Sequence, residues 1–323
     1  MSIGINDIAA ISNRVLEQVE RAIIGKRRLL RDVMAAVLTD GHVLLEDFPG
    51  LGKTLLAKSF AAALGLDFKR IQFTPDLLPG DITGGYVYNR AADRFELRRG
   101  PIFANIVLAD EINRASPKTQ SALLEAMQEQ QVTLEGETMS LAEPFIVLAT
   151  QNPIEYEGTF ALPEAQLDRF IMKLSVGYPT PEEEQEILRR RRERRQEEVT
   201  VEQVTDADTL MAMRQAVEDV HVEPDIDEYI VRLVAETRHD SRVTVGASPR
   251  GSLALMKLAR ARAAMDGRDF VIPDDVKYFA RPALAHRLIL VPDLWMRRAA
   301  AEDVISGILE TVPVPVLAGA EGR

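Results

Sequence analysis

The sequence predicts an α/β core, a parallel sheet with helices on both faces, followed by a smaller all-α domain. Three observations predict it. Short apolar runs, "HVLLE" at 42–46, "FKRIQF" at 68–73, "IVLAD" at 106–110 and "FIVLAT" at 145–150, alternate with helical patterns. Strands that alternate with helices build a parallel sheet. A glycine loop ending in Gly52, Lys53 and Thr54 joins the first run to an Ala/Leu-rich helix. From about residue 180 the periodicity is helical, and no convincing buried strand follows.

The elements follow in order. Ile8, Ile11, Val15, Leu16, Val19 and Ile23 recur at helical spacing, so the chain opens on an amphipathic helix. "GKRRLLRDVMAAVLTDG" is a second helical pattern, closed by Gly41. The strand at 42–46 leads into the glycine loop, and "KTLLAKSFAAALG" is a helix stopped by Gly65. "TPDLLPGDITGGYVYNRAADRFELRRG" is long for a helix-to-strand connection and reads as an inserted hairpin. "QVTLEGETMSLAEP" alternates around Gly136 and reads as a second one. Near "YPTPEEE", Thr180 caps a helix, Pro181 takes its first position and Glu183 completes a capping box. The division is therefore 1–179 for the core with its N-terminal helix and 180–323 for the helical domain. "LETVPVPVLAGAEGR" is expected to be an extended tail.

Composition narrows the function classes. The chain has 323 residues, 46% hydrophobic and 28% charged, as in a soluble globular protein. It has no cysteine, which excludes disulfides and thiolate metal sites and fits a reducing cytoplasm. No apolar run approaches the roughly 18–20 residues that span a bilayer, so no membrane insertion is expected. The N-terminus lacks a basic start before an apolar core, so no secretory signal is expected. The net charge of −11 argues against gripping a nucleic-acid backbone.

The chemistry-bearing residues sit at or beyond strand ends, where parallel sheets bind ligands. Lys53 and Thr54 end a phosphate-binding loop, in which backbone N–H groups and a helix N-terminus surround phosphates. The lysine reaches the terminal phosphates and the hydroxyl holds Mg²⁺. The loop departs from the full pattern, because Asp47 stands where the first glycine belongs. Asp tolerates unusual backbone angles, and its carboxylate is free to turn from the phosphates and bond nearby N–H groups. "IVLADEINRA" ends a strand in Asp110 and Glu111, an acid to help hold Mg²⁺ and one to activate water. Asn152, in "FIVLATQNP", offers an amide to a γ-phosphate and an attacking water. Arg169, in "LPEAQLDRF", suits a charge-neutralising arginine. Arg250 lies in the first turn of the helix opened by Ser248 and Pro249, where the helix dipole disfavours a cation. That placement points to a ligand.

With these elements in order, the sequence resembles the AAA+ ATPases, and within them the MoxR family. "GHVLLEDFPGLGKT", "IQFTPDLLPGDITGG", "RRGPIFANIVLADEINRA", "PKTQSALLEAMQEQQVTL", "LATQNPIEYEGTFALPEAQLDRF" and "ASPRGSLALMKLARARA" all look like that family's blocks. The likeness runs from about residue 15 to residue 314. It implies an AAA+ P-loop core with inserted hairpins and a helical lid. It also implies roles: Lys53 and Thr54 as the Walker A pair, Asp110 and Glu111 as the Walker B pair, Asn152 as sensor 1, Arg250 as sensor 2. Arg169 looks like an arginine finger that acts on the next subunit's nucleotide, with Arg114 as a second candidate at the seam. Pro49, Gly50, Leu51, Gly52 and Leu55 complete the loop around ATP. "AIIGK" resembles the segment that cups adenine through Ile24 and Gly25. The family accepts Gly or Asp at position 47.

The resemblance implies a homo-hexameric, Mg²⁺-dependent ATPase that matures a client protein, such as one with a von Willebrand A domain. Its hairpins would face the ring's pore. Two rivals stand beside it. A nucleic-acid motor draws on "RRRRERRQEE" at 189–198, but those arginines can pair with neighbouring glutamates. A nucleotide-binding regulatory switch is disfavoured by the presence of both Glu111 and Arg169.

Overall fold

The structure, a computed structural model, describes residues 3–153, 159–294 and 300–315. Residues 154–158, within one of the quoted blocks, and 316–323 of the C-terminal tail lie outside it.

The N-terminal pattern forms helix α1 (Ile5–Glu20), whose Ile8, Val15, Leu16 and Val19 are fully buried. Helix α2 (Arg27–Leu38) follows, then strand β1 (Val43–Glu46), helix α3 (Lys53–Leu64) and strand β2 (Phe68–Gln72). The first insertion is a short helix α4 (Pro79–Thr83) and the hairpin β3 (Gly84–Asn89) and β4 (Arg94–Arg99). Strand β5 (Ile106–Asp110) and helix α5 (Pro117–Glu129) precede the second hairpin, β6 (Gln131–Leu134) and β7 (Glu137–Ser140). Its two turn residues, Glu135 and Gly136, both take positive φ. That is the turn whose twist matches a tight hairpin. Strand β8 (Ile146–Gln151), the single turn α6 (Glu164–Leu167) and strand β9 (Met172–Leu174) complete the core.

Five strands form the sheet in the order β2-β5-β8-β1-β9, every pair parallel. All carboxyl ends therefore lie along one edge. Alternation divides the strands between two faces. Val43, Leu45, Ile106, Leu108, Ile146 and Leu148 join the core built with α1, α2 and α3. Leu44, Val107, Ala109, Val147 and Ala149 join the one built with α5. The fifth strand, β9, is not among the runs the sequence singled out. It is three residues long with Lys173 at its centre.

Helix α7 (Pro181–Arg194) starts as read: Thr180 Oγ1 accepts from Glu183 N, and Glu183 Oε2 accepts from Thr180 N. Helices α8 (Ala207–Glu218), α9 (Pro224–Glu236), α10 (Pro249–Met265), α11 (Pro273–Leu284) and α12 (Ala300–Thr311) follow. The region is not wholly helical, because β10 (Val243–Val245) and β11 (Ile289–Leu290) pair as a small antiparallel ribbon. Leu309, Glu310 and Thr311, read as the start of the tail, end α12. Helix α10 packs against α1 and α2 as well as α8, α9 and α11, so one apolar core runs from the first helices into the last. Among the described residues no helix is long and apolar enough to cross a membrane.

Candidate functional site

The loop between β1 and α3 opens a cavity of about 370 Å³ at the carboxyl edge of the sheet. Pro49, Gly50, Leu51, Gly52, Lys53, Thr54 and Leu55 all line it. Gly50 (φ +86°) and Gly52 (φ +80°) supply the left-handed turns that let the backbone wrap. Helix α3 starts at Gly52 with no side-chain cap, so its first N–H groups point into the loop unclaimed by a side chain. Lys53 Nζ donates to the carbonyls of Asp47 (2.8 Å) and Phe48 (3.0 Å). Burial pulls its ammonium below the ordinary lysine range, against the opposing pull of Asp47, Asp110 and Glu111. Free helix N–H groups, wrapped backbone and one lysine fit a polyphosphate.

Asp47 is 6% exposed, and its side chain turns away from the loop. Oδ1 accepts from Ser175 Oγ (3.0 Å), and Oδ2 accepts from the backbone N–H groups of Val176 and Gly177. Asp47 is not among the residues with positive φ, so backbone tolerance does not explain it. Its carboxylate does: it fastens the start of the loop to the chain leaving β9.

The two acids at the end of β5 are held in different ways. Asp110 Oδ1 accepts from Thr150 Oγ1 (2.6 Å), and Oδ2 accepts from Arg70 Nε (3.0 Å) and Nη2 (2.6 Å). Glu111 Oε2 accepts from Gln72 Nε2 (2.7 Å) and Arg114 Nη1 (2.9 Å). Glu111 takes a left-handed backbone, φ 57° and ψ 49°. Such a conformation costs about 1–3 kcal/mol. A bond from Glu111 N to Thr150 Oγ1 (2.9 Å) helps hold it. Asn152 lines the same cavity, and its carbonyl accepts from Asn113 Nδ2 at 3.5 Å. Thr54, at the mouth of α3, and Asp110 form the oxygen pair that would hold Mg²⁺, an ion that needs few protein ligands because it keeps several waters.

The cavity thus unites the loop residues, Asp110, Glu111 and Asn152, as read from the sequence. It adds Arg70 and Thr150, with Gln72 behind Glu111. All three lie on β2 or β8 with side chains on the α3 face, a face that strand alternation alone does not single out.

Arg169 and Arg250 lie elsewhere. Both line a second, shallower cavity of about 220 Å³ with Thr39, Gly41 and His42. His42 immediately precedes β1, and Ile171 N bonds its carbonyl at 2.9 Å just ahead of β9. This cavity is therefore at the amino edge of the sheet. Arg250 stands there because α10 packs onto α1 and α2 and carries the arginine with it. The two arginines are brought together by the residues beside them. Ser248 Oγ, which caps α10, donates to Asp168 Oδ2 (2.9 Å). Buried Arg287 donates to Asp168 O (2.9 Å), Asp168 Oδ1 and Phe170 O (2.8 Å). His286 Nε2 donates to Phe170 O at 3.1 Å, and burial pushes its imidazole down to about 3, so it is neutral at pH 7. Arg169 itself donates to Leu124 O.

Ile24 and Gly25 do not line the nucleotide-sized cavity. A Cβ on Gly25 (φ +73°) would collide with the Glu183 side chain, and Ile23, not Ile24, approaches Gly52.

Comparisons with known proteins place the chain in a family. A family model described as "ATPase family associated with various cellular activities (AAA)" matches residues 42–172, and an AAA lid domain model matches residues 235–308. The chain is 50% identical over 310 residues to "Uncharacterized protein YeaC" of Bacillus subtilis (strain 168), covering 96% of this chain and 97% of that one. It is 43% identical over 311 residues to "Chaperone MoxR1" of Mycobacterium tuberculosis, covering 94% of this chain and 82% of that one. A crystal structure of a candidate ATPase from Cytophaga hutchinsonii superposes with a TM-score of 0.89 at 39% identity, covering 96% of this chain and 97% of that one. The chain belongs to the MoxR family of AAA+ ATPases.

Proposed function

We propose that the protein hydrolyses ATP at the seams of a homo-oligomeric ring, a hexamer, and uses the turnover to mature a client protein. The observation that carries this reading is the placement of its two halves at opposite edges of one sheet. Lys53, Thr54, Asp110, Glu111 and Asn152 meet at the carboxyl edge, whereas Arg169 and Arg250 meet at the amino edge. A head-to-tail neighbour would bring the two halves to one nucleotide. The roles are then as follows. Lys53 and the α3 N–H groups bind the phosphates. Glu111 takes the proton of the attacking water, and Asn152 orients that water. Arg169 and Arg250 of one subunit stabilise charge on the phosphate bound by the next. Thr54 and Asp110 would hold Mg²⁺, which would supply charge neutralisation to the bound phosphates.

Residues 1–179 act as the core and 180–323 as the lid, in a cytoplasmic protein. A client with a von Willebrand A domain is the candidate the family suggests, and the word chaperone in the name of the Mycobacterium tuberculosis relative supports a client role. The nucleic-acid reading loses its main support. Arg189 pairs with Glu186 and Glu193, Arg190 with Glu186, and Arg191 with Glu197.

The test is complementation. Glu111→Gln and Arg169→Ala proteins should each lose ATP hydrolysis, by roughly 10³-fold or more for the arginine. Mixed, they should hydrolyse ATP well above the sum of the two alone, because some seams then join an intact Glu111 to an intact Arg169. A mixture no better than that sum would overturn the shared site.

A further inference from the structure

The nucleotide cavity holds a cation that belongs neither to the phosphate loop nor to the arginine face. Arg70 lies within β2, in register with Leu108 of β5. Side chains alternate along β2. Phe68 packs into the core shared with α3, and Ile71 into the core shared with α5. Arg70 and Gln72 therefore lie on the α3 face, the one that looks toward Thr54. The Arg70 guanidinium lines the same cavity as Lys53, Thr54 and Glu111. It is 47% exposed, so it is held by its bonds to Asp110 Oδ2 and Gln72 Oε1 more than by packing.

Asp110 has two oxygens and two kinds of partner. Oδ1 takes the Thr150 hydroxyl, and Oδ2 takes Arg70 in a two-pronged contact. A divalent cation on Asp110 and the guanidinium compete for the same negative charge. A cation arriving with a nucleotide would take that charge and loosen the hold of Arg70 on Asp110. A terminal phosphate in that cavity is the replacement acceptor, and its oxygens match the planar guanidinium fork. The exchange conserves charge pairing: the cation covers Asp110, and the phosphate covers Arg70. A diphosphate brings no third phosphate to complete it.

We propose that Arg70 is the residue by which each chain distinguishes nucleoside triphosphate from diphosphate in its own cavity. It rests on Asp110 before nucleotide binds and moves to the γ-phosphate when the Mg²⁺-triphosphate enters. The proposal rests on the nucleotide-binding reading above. It is separate from the seam arginines, because Arg70 acts within its own chain. The alternative is a plain surface ion pair, which contributes little to anything.

Equilibrium binding of Mg²⁺-AMPPNP and Mg²⁺-ADP to the full chain separates these ideas. Arg70→Ala should weaken AMPPNP binding by roughly tenfold or more, the worth of a charge-assisted contact. ADP binding should be unchanged or tighter, since the competitor for Asp110 is gone. Arg70→Lys keeps the charge without the fork and should recover part of the preference. Equal weakening of both nucleotides, or no change in either, would overturn the proposal. A parent protein that binds neither nucleotide would instead overturn the nucleotide reading itself.

Discussion

The carboxyl and amino ends of β1 present two surfaces of opposite construction. At the carboxyl end, a lysine, an uncapped helix and paired acids surround a deep cavity. Its charged groups are mutually neutralised by contacts within the chain, as Arg70–Asp110 and Arg114–Glu111 show. At the amino end, two arginines stand over a shallow hollow on a stiff mount. Asp168 and Phe170, on either side of Arg169, are tied to Ser248, His286 and Arg287 of the second domain. On the proposed reading, the first surface receives a ligand and the second presents a charge. A transition-state cation works best when it is already in place, which suits arginines whose neighbours are anchored in this way.

Three substitutions sharpen that contrast. The largest effect is expected from Arg250→Ala, which should cut ATP hydrolysis by roughly a hundredfold. If Arg250 serves the neighbour, this variant complements Glu111→Gln in a mixture and fails to complement Arg169→Ala. Complementation of Arg169→Ala instead would put Arg250 on its own chain's nucleotide. Next comes Arg287→Met, which removes the buried cation from beneath Asp168. Breaking a buried pair costs about 3–5 kcal/mol. The denaturation midpoint should fall accordingly, and hydrolysis should fall in any protein that remains folded, while binding of Mg²⁺-ADP survives. Loss of ADP binding in a folded variant would show that the mount also shapes the cavity. The smallest effect is expected from Asp47→Gly, which restores the general loop pattern. Nucleotide binding should persist, with a stability loss of about 1–3 kcal/mol from the three abandoned donors, read from urea unfolding. An unchanged stability would show that those bonds contribute nothing net.

Much of the cavity was legible because its chemistry is local. The loop, Asp110-Glu111 and Asn152 each sit at the end of a recognisable apolar run, and a parallel sheet gathers such ends. What was not legible depends on contacts between distant segments. Met172–Leu174 is too short, and broken by Lys173, to read as a strand, yet it closes the sheet beside β1. Arg70 reads as one of two adjacent basic residues on an edge strand. Only alternation plus the position of α3 tells it from Lys69, which points the other way. Arg250 was correctly placed in the first turn of its helix, but not in space. The packing of α10 on α1 and α2 follows from matched apolar faces some 240 residues apart, and no local pattern encodes that pairing.

The Asp47 carboxylate has a consequence for dividing the molecule. The matched core region ends at residue 172, before Ser175, Val176 and Gly177. A fragment trimmed there would strand a buried charge directly under the phosphate loop, with its N–H partners cut away. The shortest piece that keeps the loop's foundation runs through Gly177. Even that piece bares the side of α1 that α10 covers. A transplant of this ATPase core into another protein should therefore carry the linker with it and supply a substitute for α10.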